Sequence, residues 1–354
     1  MLIILALVSL ITLMALHEFG HFIVAKAFKI KVDEFGIGYP PRIFGKKFGE
    51  TIYSLNWIPF GAFVRIYGHE ERLNEPRSFS TKPIWQRALV ILGGVVSFWI
   101  IAIIIMSIVI ALGIPTIIKD SDTGYPDAKV QIIEISKNSP AQKAGIQIGD
   151  VIVRINDKNI YKVSEAQAAI KENQGKEASF TIKRGGNLLN IIAVPRVNYS
   201  ANEGSLGVGL VRTALKAYPW YEAPLNGIKA TYNLTFMTVE GWINTLKSIF
   251  MGNGVPQGVE VRGIVGIFDM FIQAGGMGVS YFLQFIAIIS VSLAVLNILP
   301  IPALDGGWLM LLAIEKIKGK PINIKTERMI NGIFFFLLIA LMIFVTIKDL
   351  IRIF

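Results

Sequence analysis

Two histidines and a glutamate stand within an apolar stretch near the N-terminus, ALHEFGHFIVA (residues 15–25). His17 and His21 are four residues apart, so on a helix they lie on one face, about one turn from each other. Two neutral imidazoles held in this way can bind one zinc ion. Glu18 lies about 100° around the helix from His17, from where it can reach a zinc-bound water without being a ligand. The H-E-x-x-H pattern therefore predicts two metal ligands and the general base of a metalloprotease.

The apolar surroundings strengthen this prediction. Ionisable groups within a membrane-spanning segment are costly and usually functional. The chain has three histidines, and two of them occupy these positions. The alternative is that the three side chains only make polar contacts between helices, which would not require this trio at this spacing.

A third ligand must come from elsewhere, because a catalytic zinc usually has three protein ligands and one open position. The chain has no cysteine, so the ligand must be histidine or a carboxylate. His69 lies in the charged sequence GHEER and is expected to be solvated. Asp305 follows a helix break made by Pro300 and Pro302. The sequence favours Asp305 because its predicted depth in the membrane matches that of the histidine pair, and Asp269, predicted on the outer side, stays the alternative.

The composition indicates a membrane protein. The chain of 354 residues is 53% hydrophobic and 17% charged, which is too apolar for an ordinary soluble domain. A membrane-spanning helix needs about 20 predominantly apolar residues. Four stretches meet or approach that length: Leu2–Phe28, Ala88–Ile114, Val279–Leu299 and Ile333–Ile347. The first lacks the features of a cleaved signal peptide, so it is predicted to remain as a span.

Basic residues predict the orientation of these spans. Three lysines follow directly on the first span, from Lys26 to Lys31, and the segment Glu315–Arg328 carries four more. By the positive-inside rule both regions are expected in the cytoplasm, with both termini and residues 115–278 outside. The net charge of +10 fits lysines that face anionic lipid. Because the charge is spread over several loops, it does not indicate a nucleic-acid partner.

Two regions outside the spans have recognisable patterns. Glu50–Gly68 is rich in β-branched and aromatic residues, which predicts a hairpin or short sheet, and its apolarity suggests that it dips into the membrane. Residues 128–197 alternate in the manner of strands, for example KVQIIEI and SFTIKR, with turn residues between them. Residues 222–250 predict an amphipathic helix on the outer surface. The alternative is a fifth membrane span, which Asn226, Asn233, Glu240 and Asn244 disfavour. The chain is thus divided into a membrane part (1–114), an outer domain (115–200), an outer helix with connector (201–278) and a second membrane part (279–354).

Together these motifs resemble the site-2 proteases, the zinc intramembrane proteases, in the bacterial form with one PDZ domain (the regulator-of-sigma-E protease type). The resemblance covers nearly the whole chain and rests on HEFGH, PFGAFV, the PDZ-like SPAQKAGIQIGDVIVRIN, GIVGI and NILPIPALDGG. It implies a polytopic α-helical membrane protein with about four transmembrane helices, a re-entrant β element and an inserted extracytoplasmic PDZ domain. It also implies that His17, His21 and Asp305 bind zinc and that Glu18 is the catalytic base. The substrate-binding residues that it implies are Asn297, Pro59, Phe60, Gly61, Ala62, Phe63 and Val64.

The resemblance implies an endopeptidase of the inner (plasma) membrane with its active site toward the cytoplasm. It would use Zn²⁺, with no small-molecule cofactor, to cleave transmembrane segments of single-span proteins already cut by another protease, such as anti-sigma factors or remnant signal peptides. The PDZ domain would filter substrates by size or dock them. Two other functions stay open: a catalytically inactive PDZ scaffold, which the intact Glu18 disfavours, and a membrane zinc-handling protein, which would need more than one polar cluster in the spans.

Overall fold

The computed structural model describes residues 1–69, 71–184, 187–199, 204–256 and 262–353. The helices are α1 (Leu2–Ala27), α2 (Ile84–Leu112), α3 (Pro140–Lys143), α4 (Val163–Glu172), α5 (Ala223–Phe250), α6 (Ile264–Met277), α7 (Val279–Ile298), α8 (Asp305–Lys318) and α9 (Ile324–Ile353). The strands are β1 (Val32–Phe48), β2 (Thr51–Ile66), β3 (Ile114–Ile118), β4 (Lys129–Ile135), β5 (Val151–Ile155), β6 (Lys158–Asn159), β7 (Ala178–Arg184), β8 (Asn187–Ala193) and β9 (Val208–Lys216). The domain boundary predicted at residue 200 lies outside the described residues.

Four of these helices, α1, α2, α7 and α9, are long and apolar enough to cross a membrane. They overlap the four predicted spans closely, except that α2 ends before the predicted Ile114, which belongs to β3, and that α9 begins well before the predicted Ile333. The chain is therefore a multi-pass membrane protein. The helix α5 occupies the predicted amphipathic segment, and its position on the outer surface stays a prediction.

The chain forms two compact units. The first comprises Met1–Met106, Gly227–Phe268 and Ile286–Phe354, and the second comprises Ser107–Asn226 and Asp269–Phe285. The first unit therefore contains the H-E-x-x-H motif and Asp305, while the second contains the predicted outer sheet. The finer division into four parts stays a prediction.

The sheet of the first unit is built from β1 and β2 alone. The start of β1 is antiparallel to the end of β2, with Ile37 opposite Ala62. Gly36 has partners on both sides, Phe63 and Ser54, so β1 lies between two lengths of β2. Among the residues that the structure describes, Ala62–Ile66 is paired along one side only. The sheet therefore presents an open strand edge.

A buried carboxylate fixes this sheet from within. Glu34 is 4% exposed and accepts hydrogen bonds from Arg42 Nη2 and Ser54 Oγ, both at 2.7 Å. A charge placed inside a sheet is tolerated when it is paired and hydrogen-bonded in this way. The ion pair between Arg42 and Glu34 thus joins the second half of β1 to its first half, which lies next to the open edge.

The sheet of the second unit has the strand order β3-β9-β4-β5-β7-β8, and β6 pairs with β5. Its core is formed mainly by isoleucines that alternate along the strands, among them Ile132, Ile152 and Ile182, with the helix α4 packed through Ala166 and Ala169. The strands predicted within residues 128–197 are confirmed as β4, β5, β7 and β8. The sequence did not predict β9, although it lies between β3 and β4 in this sheet.

Candidate metal centre

The two histidines of α1 lie on one buried face of the helix, as the spacing predicts. His17 is 5% exposed and His21 is 8% exposed, and their Nε2 atoms are 3.3 Å apart. The His17 ring stacks on Phe98 of α2, with centroids 4.5 Å apart. The Nδ1 atom of His21 is 2.9 Å from the Val90 carbonyl oxygen, so this nitrogen donates and Nε2 keeps its lone pair. The His21 Nε2 atom is therefore available as a ligand, and the His17 Nε2 atom lies beside it.

Glycines allow α1 and α2 to approach closely enough for these contacts. A Cβ atom at Gly94 would lie 2.2 Å from His21 Nε2, and one at Gly20 would lie 2.2 Å from the Gly93 carbonyl oxygen. Real Cβ atoms do not approach other atoms this closely, so neither helix tolerates a side chain here. Small residues at helix contacts within membranes serve the same purpose elsewhere.

The carboxylate of Asp305 reaches the histidines from the start of α8. After α7 ends at Ile298, the chain turns through Pro300 and Pro302, and Ala303 adopts a left-handed conformation with φ of 75°. A Cβ atom at Gly306 would lie 2.1 Å from the Leu299 carbonyl oxygen, so the first turn of α8 packs against the preceding backbone. Asp305 is the first residue of α8, a helix of 14 residues.

The three ligand atoms form a nearly equilateral triangle. Asp305 Oδ2 is 3.4 Å from His17 Nε2 and 3.5 Å from His21 Nε2, which are 3.3 Å from each other. A tetrahedral zinc with metal–ligand distances of about 2.0–2.1 Å places its ligand atoms about 3.3–3.4 Å apart. Among the residues that the structure describes, this is the one group of three potential ligands that approach so closely.

Two buried polar atoms at this place have no hydrogen-bond partner, Asp305 Oδ2 and His17 Nδ1. Buried polar atoms of native proteins are nearly always paired, so an orphaned carboxylate oxygen that faces two imidazoles needs another explanation. A cation bound by Oδ2 and the two Nε2 atoms supplies one for the carboxylate. The donor set of two nitrogens and one oxygen is typical of catalytic zinc.

Glu18 lies beside the triangle, next to the open edge of β2. Its carboxylate interacts electrostatically with His21 and Asp305, and the Val64 backbone lies within hydrogen-bonding range of it. The general base predicted from the sequence thus borders both the candidate metal centre and the open strand edge.

The other predicted site residues are distributed as follows. The amide of Asn297 donates to the Leu293 carbonyl oxygen one turn back in α7, at 2.9 Å. The stretch of β2 that the sequence predicts to bind substrate is exposed at Pro59 and Phe60 and buried at Ala62. The alternative ligand Asp269 accepts a hydrogen bond from Gln273 at 2.7 Å and is not a member of the triangle.

The prediction that His69 is solvated is wrong. Its ring packs between Trp308, at 4.4 Å between centroids, and Phe79, at 4.7 Å. Burial lowers the pKa of His69 from 6.5 to about 4, so this side chain is neutral at physiological pH. The charged neighbours of His69 in the sequence suggested that it faces solvent, but its partner Trp308 lies far away along the chain.

The sequence did not predict the part that α2 plays in the site. Phe98, the Val90 carbonyl and Gly94 all contact the histidine pair. The pair Gly93-Gly94 inside an otherwise apolar helix was the available signal, because glycine in a membrane helix often marks close packing.

Known proteins resemble this chain along almost its whole length. The model of peptidase family M50 matches residues 5–341. The chain is 37% identical to a protein of Clostridium perfringens named as a zinc metalloprotease, over 99% of both chains. It is 32% identical to a protein of Clostridium acetobutylicum with the same kind of name, over 99% of this chain and 97% of the relative. It is 27% identical to the regulator of sigma-W protease RasP of Bacillus subtilis, over 97% of this chain and 96% of that protein.

Proposed function

The chain belongs to peptidase family M50, the site-2 proteases, which are zinc metalloproteases, and we propose that His17, His21 and Asp305 hold its catalytic zinc. The observation that carries this proposal is the triangle of ligand atoms with edges of 3.3–3.5 Å. Its buried position in a membrane unit offers few other uses for three ionisable groups.

We further propose that Glu18 is the general base. When bound, zinc polarises the scissile carbonyl and makes a water molecule more acidic. The Glu18 carboxylate accepts the proton of that water and then donates it to the leaving nitrogen of the cut peptide bond. Glu18 is not one of the three potential ligands, which leaves its carboxylate available for proton transfer.

The substrates that we propose are transmembrane segments of single-span membrane proteins, cleaved after another protease has removed their outer part. The peptide bonds of a transmembrane helix are hidden in its own hydrogen bonds, so the segment must unwind before cleavage. The open edge of Ala62–Ile66 can pair with the unwound segment by backbone hydrogen bonds. Val64 borders Glu18, so a strand paired there would lie beside the general base. Pro59–Val64 and Asn297 are the substrate-binding residues in this proposal.

The sheet domain of the second unit is proposed to be an extracytoplasmic PDZ domain. On one side of β9, Val208–Val211 continues past the last residue paired with β3, and a groove separates this open stretch from α4. Gln167, Ile170 and Lys171 of α4 form the other wall of the groove. A strand edge beside a helix is the arrangement in which PDZ domains bind extended peptides. We propose that this groove docks substrates or that the domain filters them by size, with both chain termini also outside the cell.

Cleavage of a single-span substrate in lipid vesicles tests the assignment. The full chain should cut the substrate within its transmembrane segment, and Glu18→Gln should lower the rate by about 10²–10⁴-fold, since only proton transfer is lost. Zinc content should be unchanged. Glu50→Gln is the matched control, because Glu50 pairs on the surface with Lys26 and Arg77, and it should cleave at the normal rate. A Glu18→Gln protein with wild-type activity would contradict the proposal.

The natural substrates can be found by comparing membranes that contain the wild-type chain with membranes that contain Glu18→Gln. Single-span fragments that accumulate only with the variant are the expected result. If soluble or multi-span proteins accumulate in their place, the proposed substrate class is wrong while the zinc assignment stands.

A further inference from the structure

A buried ion pair joins α2 to α8 away from the candidate metal centre. Arg87 is 8% exposed, and its guanidinium donates to both carboxylate oxygens of Glu315, with Nη1 3.1 Å from Oε2 and Nη2 paired with Oε1. The Glu315 side chain is 13% exposed. A bidentate pair of this kind fixes the relative position of its two partners in two directions.

The ion pair lies on the same stripe of α8 as the proposed ligand. Asp305, Trp308, Leu312 and Glu315 follow one another at helical spacings of three and four residues, so they share one face. Trp308 contacts His69, and Leu312 packs in a core cluster with Val90 of α2. The stripe therefore begins at the candidate metal centre and ends at Arg87.

A matching stripe runs along α2. Arg87 is followed by Val90, Ile91 and Gly94 at the same spacings. The Val90 carbonyl accepts the hydrogen bond of His21, and Gly94 lies against the same imidazole. One helix thus positions the histidines and the other carries the aspartate. The two stripes pair directly through Arg87 and Glu315 at one end, and at the other end Gly94 and Asp305 both lie against His21.

Between Arg87 and the candidate metal centre, the apolar contacts of α2 and α8 do not fix how far along each other the two helices lie. Apolar side chains can slide by part of a turn with little loss of buried area, because hydrophobic burial is not directional. Buried ion pairs often add little stability, since desolvation offsets attraction, and their best-attested use is to specify register. If α8 moved along α2 by even 1 Å, the triangle of ligand atoms, whose edges are 3.3–3.5 Å, would be distorted.

We infer that Arg87 and Glu315 are a positioning pair: their ion pair sets the register of α8 on α2 and thereby places the Asp305 carboxylate opposite His17 and His21. This inference rests on the proposed function, because it takes Asp305 as a zinc ligand. Arg87 and Glu315 are not ligands themselves, but in this inference they determine how accurately the three ligand atoms are placed.

Metal binding by the purified full chain tests the inference. In a chelator competition, Glu315→Gln should bind zinc about tenfold more weakly, which is at the lower end of the effect of losing a group that orients a ligand. Arg87→Lys keeps the charge but loses the forked geometry, and about threefold weaker binding is expected. With Co²⁺ in place of zinc, the visible spectrum of Glu315→Gln should shift toward that of Asp305→Asn, because both variants weaken the carboxylate–metal bond.

Asp150→Asn is the matched control. Asp150 is 1% exposed and pairs with Arg184 at 2.7 Å, so it is at least as buried, but this ion pair lies within the sheet domain and contains no residue of α2 or α8. Its zinc affinity and Co²⁺ spectrum should match the wild type. If Glu315→Gln also matches the wild type, or if Asp150→Asn weakens binding as much, the inference is wrong. Should Glu315→Gln not fold, wild-type zinc affinity in Arg87→Lys would overturn it equally.

The Asp305→Asn protein distinguishes failure of the proposed ligand set from failure of the positioning role. If its zinc affinity and Co²⁺ spectrum equal those of the wild type, the proposed ligand set fails and the positioning role with it. If Asp305→Asn loses metal while Glu315→Gln and Arg87→Lys bind normally, only the positioning role fails.

Discussion

Two aspartates show how differently the two units use polar groups. In the sheet domain, Asp150 is 1% exposed and accepts hydrogen bonds from Arg184 Nε and Nη2, both at 2.7 Å, and from the Gln147 backbone at 2.8 Å. In the membrane unit, the Asp305 side chain is 17% exposed, and its buried Oδ2 atom has no hydrogen-bond partner. Asp150 is satisfied by the protein alone, whereas Asp305 is not.

The comparison distinguishes a structural carboxylate from a functional one. Burial of a charge is tolerated when the protein supplies its partners, as it does for Asp150. A carboxylate without partners persists when something else compensates it, and the two imidazoles facing Asp305 indicate a metal ion. The same residue type therefore stabilises one unit and is expected to bind zinc in the other.

The largest effects are expected when Asp305 and Asp150 are each replaced by asparagine: one variant should lose zinc affinity, and the other should lose stability. Asp305→Asn should bind zinc at least tenfold more weakly and lose most proteolytic activity, while the thermal midpoint of the protein changes little. Asp150→Asn should keep zinc but destabilise the sheet domain by about 3 kcal/mol, since Arg184 loses its charged partner. Metal analysis and thermal unfolding of both variants check this. Loss of zinc in Asp150→Asn would remove the distinction.

A substitution in the open edge beside Glu18 should lower the efficiency of substrate cleavage without changing zinc binding. Proline at an outward-facing position of an edge strand removes an N–H but leaves the ladder to the neighbouring strand intact. Val64→Pro should therefore lower kcat/KM for a transmembrane substrate by about tenfold, which corresponds to about 1.4 kcal/mol. Zinc content should stay at the wild-type level. If kcat/KM is unchanged, the substrate pairs elsewhere.

A substitution in the groove of the sheet domain should change which substrates are preferred without changing the cleavage reaction itself. Leu210 lines the groove between β9 and α4, so Leu210→Glu would place a charge where an extended peptide is expected to bind. A change of about threefold in the ratio of rates for two substrates with different outer segments is the expected result; one such contact is worth about 1 kcal/mol. Equal rates for every substrate pair would favour the size-filter role over docking.

Lowering the pH is expected to reduce the stability of the protein through His69. The pKa of His69 is lowered to about 4 in the folded protein, so between pH 6.5 and pH 4 the unfolded chain binds a proton that the folded chain does not. Stability is therefore complete above pH 6.5 and falls as the pH drops toward 4, by up to about 3 kcal/mol. His69→Gln should flatten this dependence. Thermal midpoints in detergent at pH 7 and pH 5 measure it, and an equal fall in both proteins would contradict the assignment.

The sequence predicted those parts of the molecule that depend on local patterns. The four apolar helices follow from runs of about 20 apolar residues, and the histidine pair follows from a spacing of four residues on a helix. Strands β4, β5, β7 and β8 follow from alternation. These features need no knowledge of distant contacts.

The missed features all depend on contacts between distant segments. The strand β9 is in the sheet because β3 and β4 flank it, and its sequence carries a weak pattern. The pairing of Arg87 with Glu315 and the contact of His69 with Trp308 join residues far apart along the chain. Spacing rules cannot show such partners, because tertiary packing selects them.

Anomalous diffraction at the zinc edge would show directly which residues bind the metal. In crystals of the full chain, we expect one strong anomalous peak that lies about 2.0–2.2 Å from His17 Nε2, His21 Nε2 and Asp305 Oδ2 together. A peak bound by the two histidines but not by Asp305, or a zinc ion elsewhere in the chain with this triangle unbound, would contradict the account.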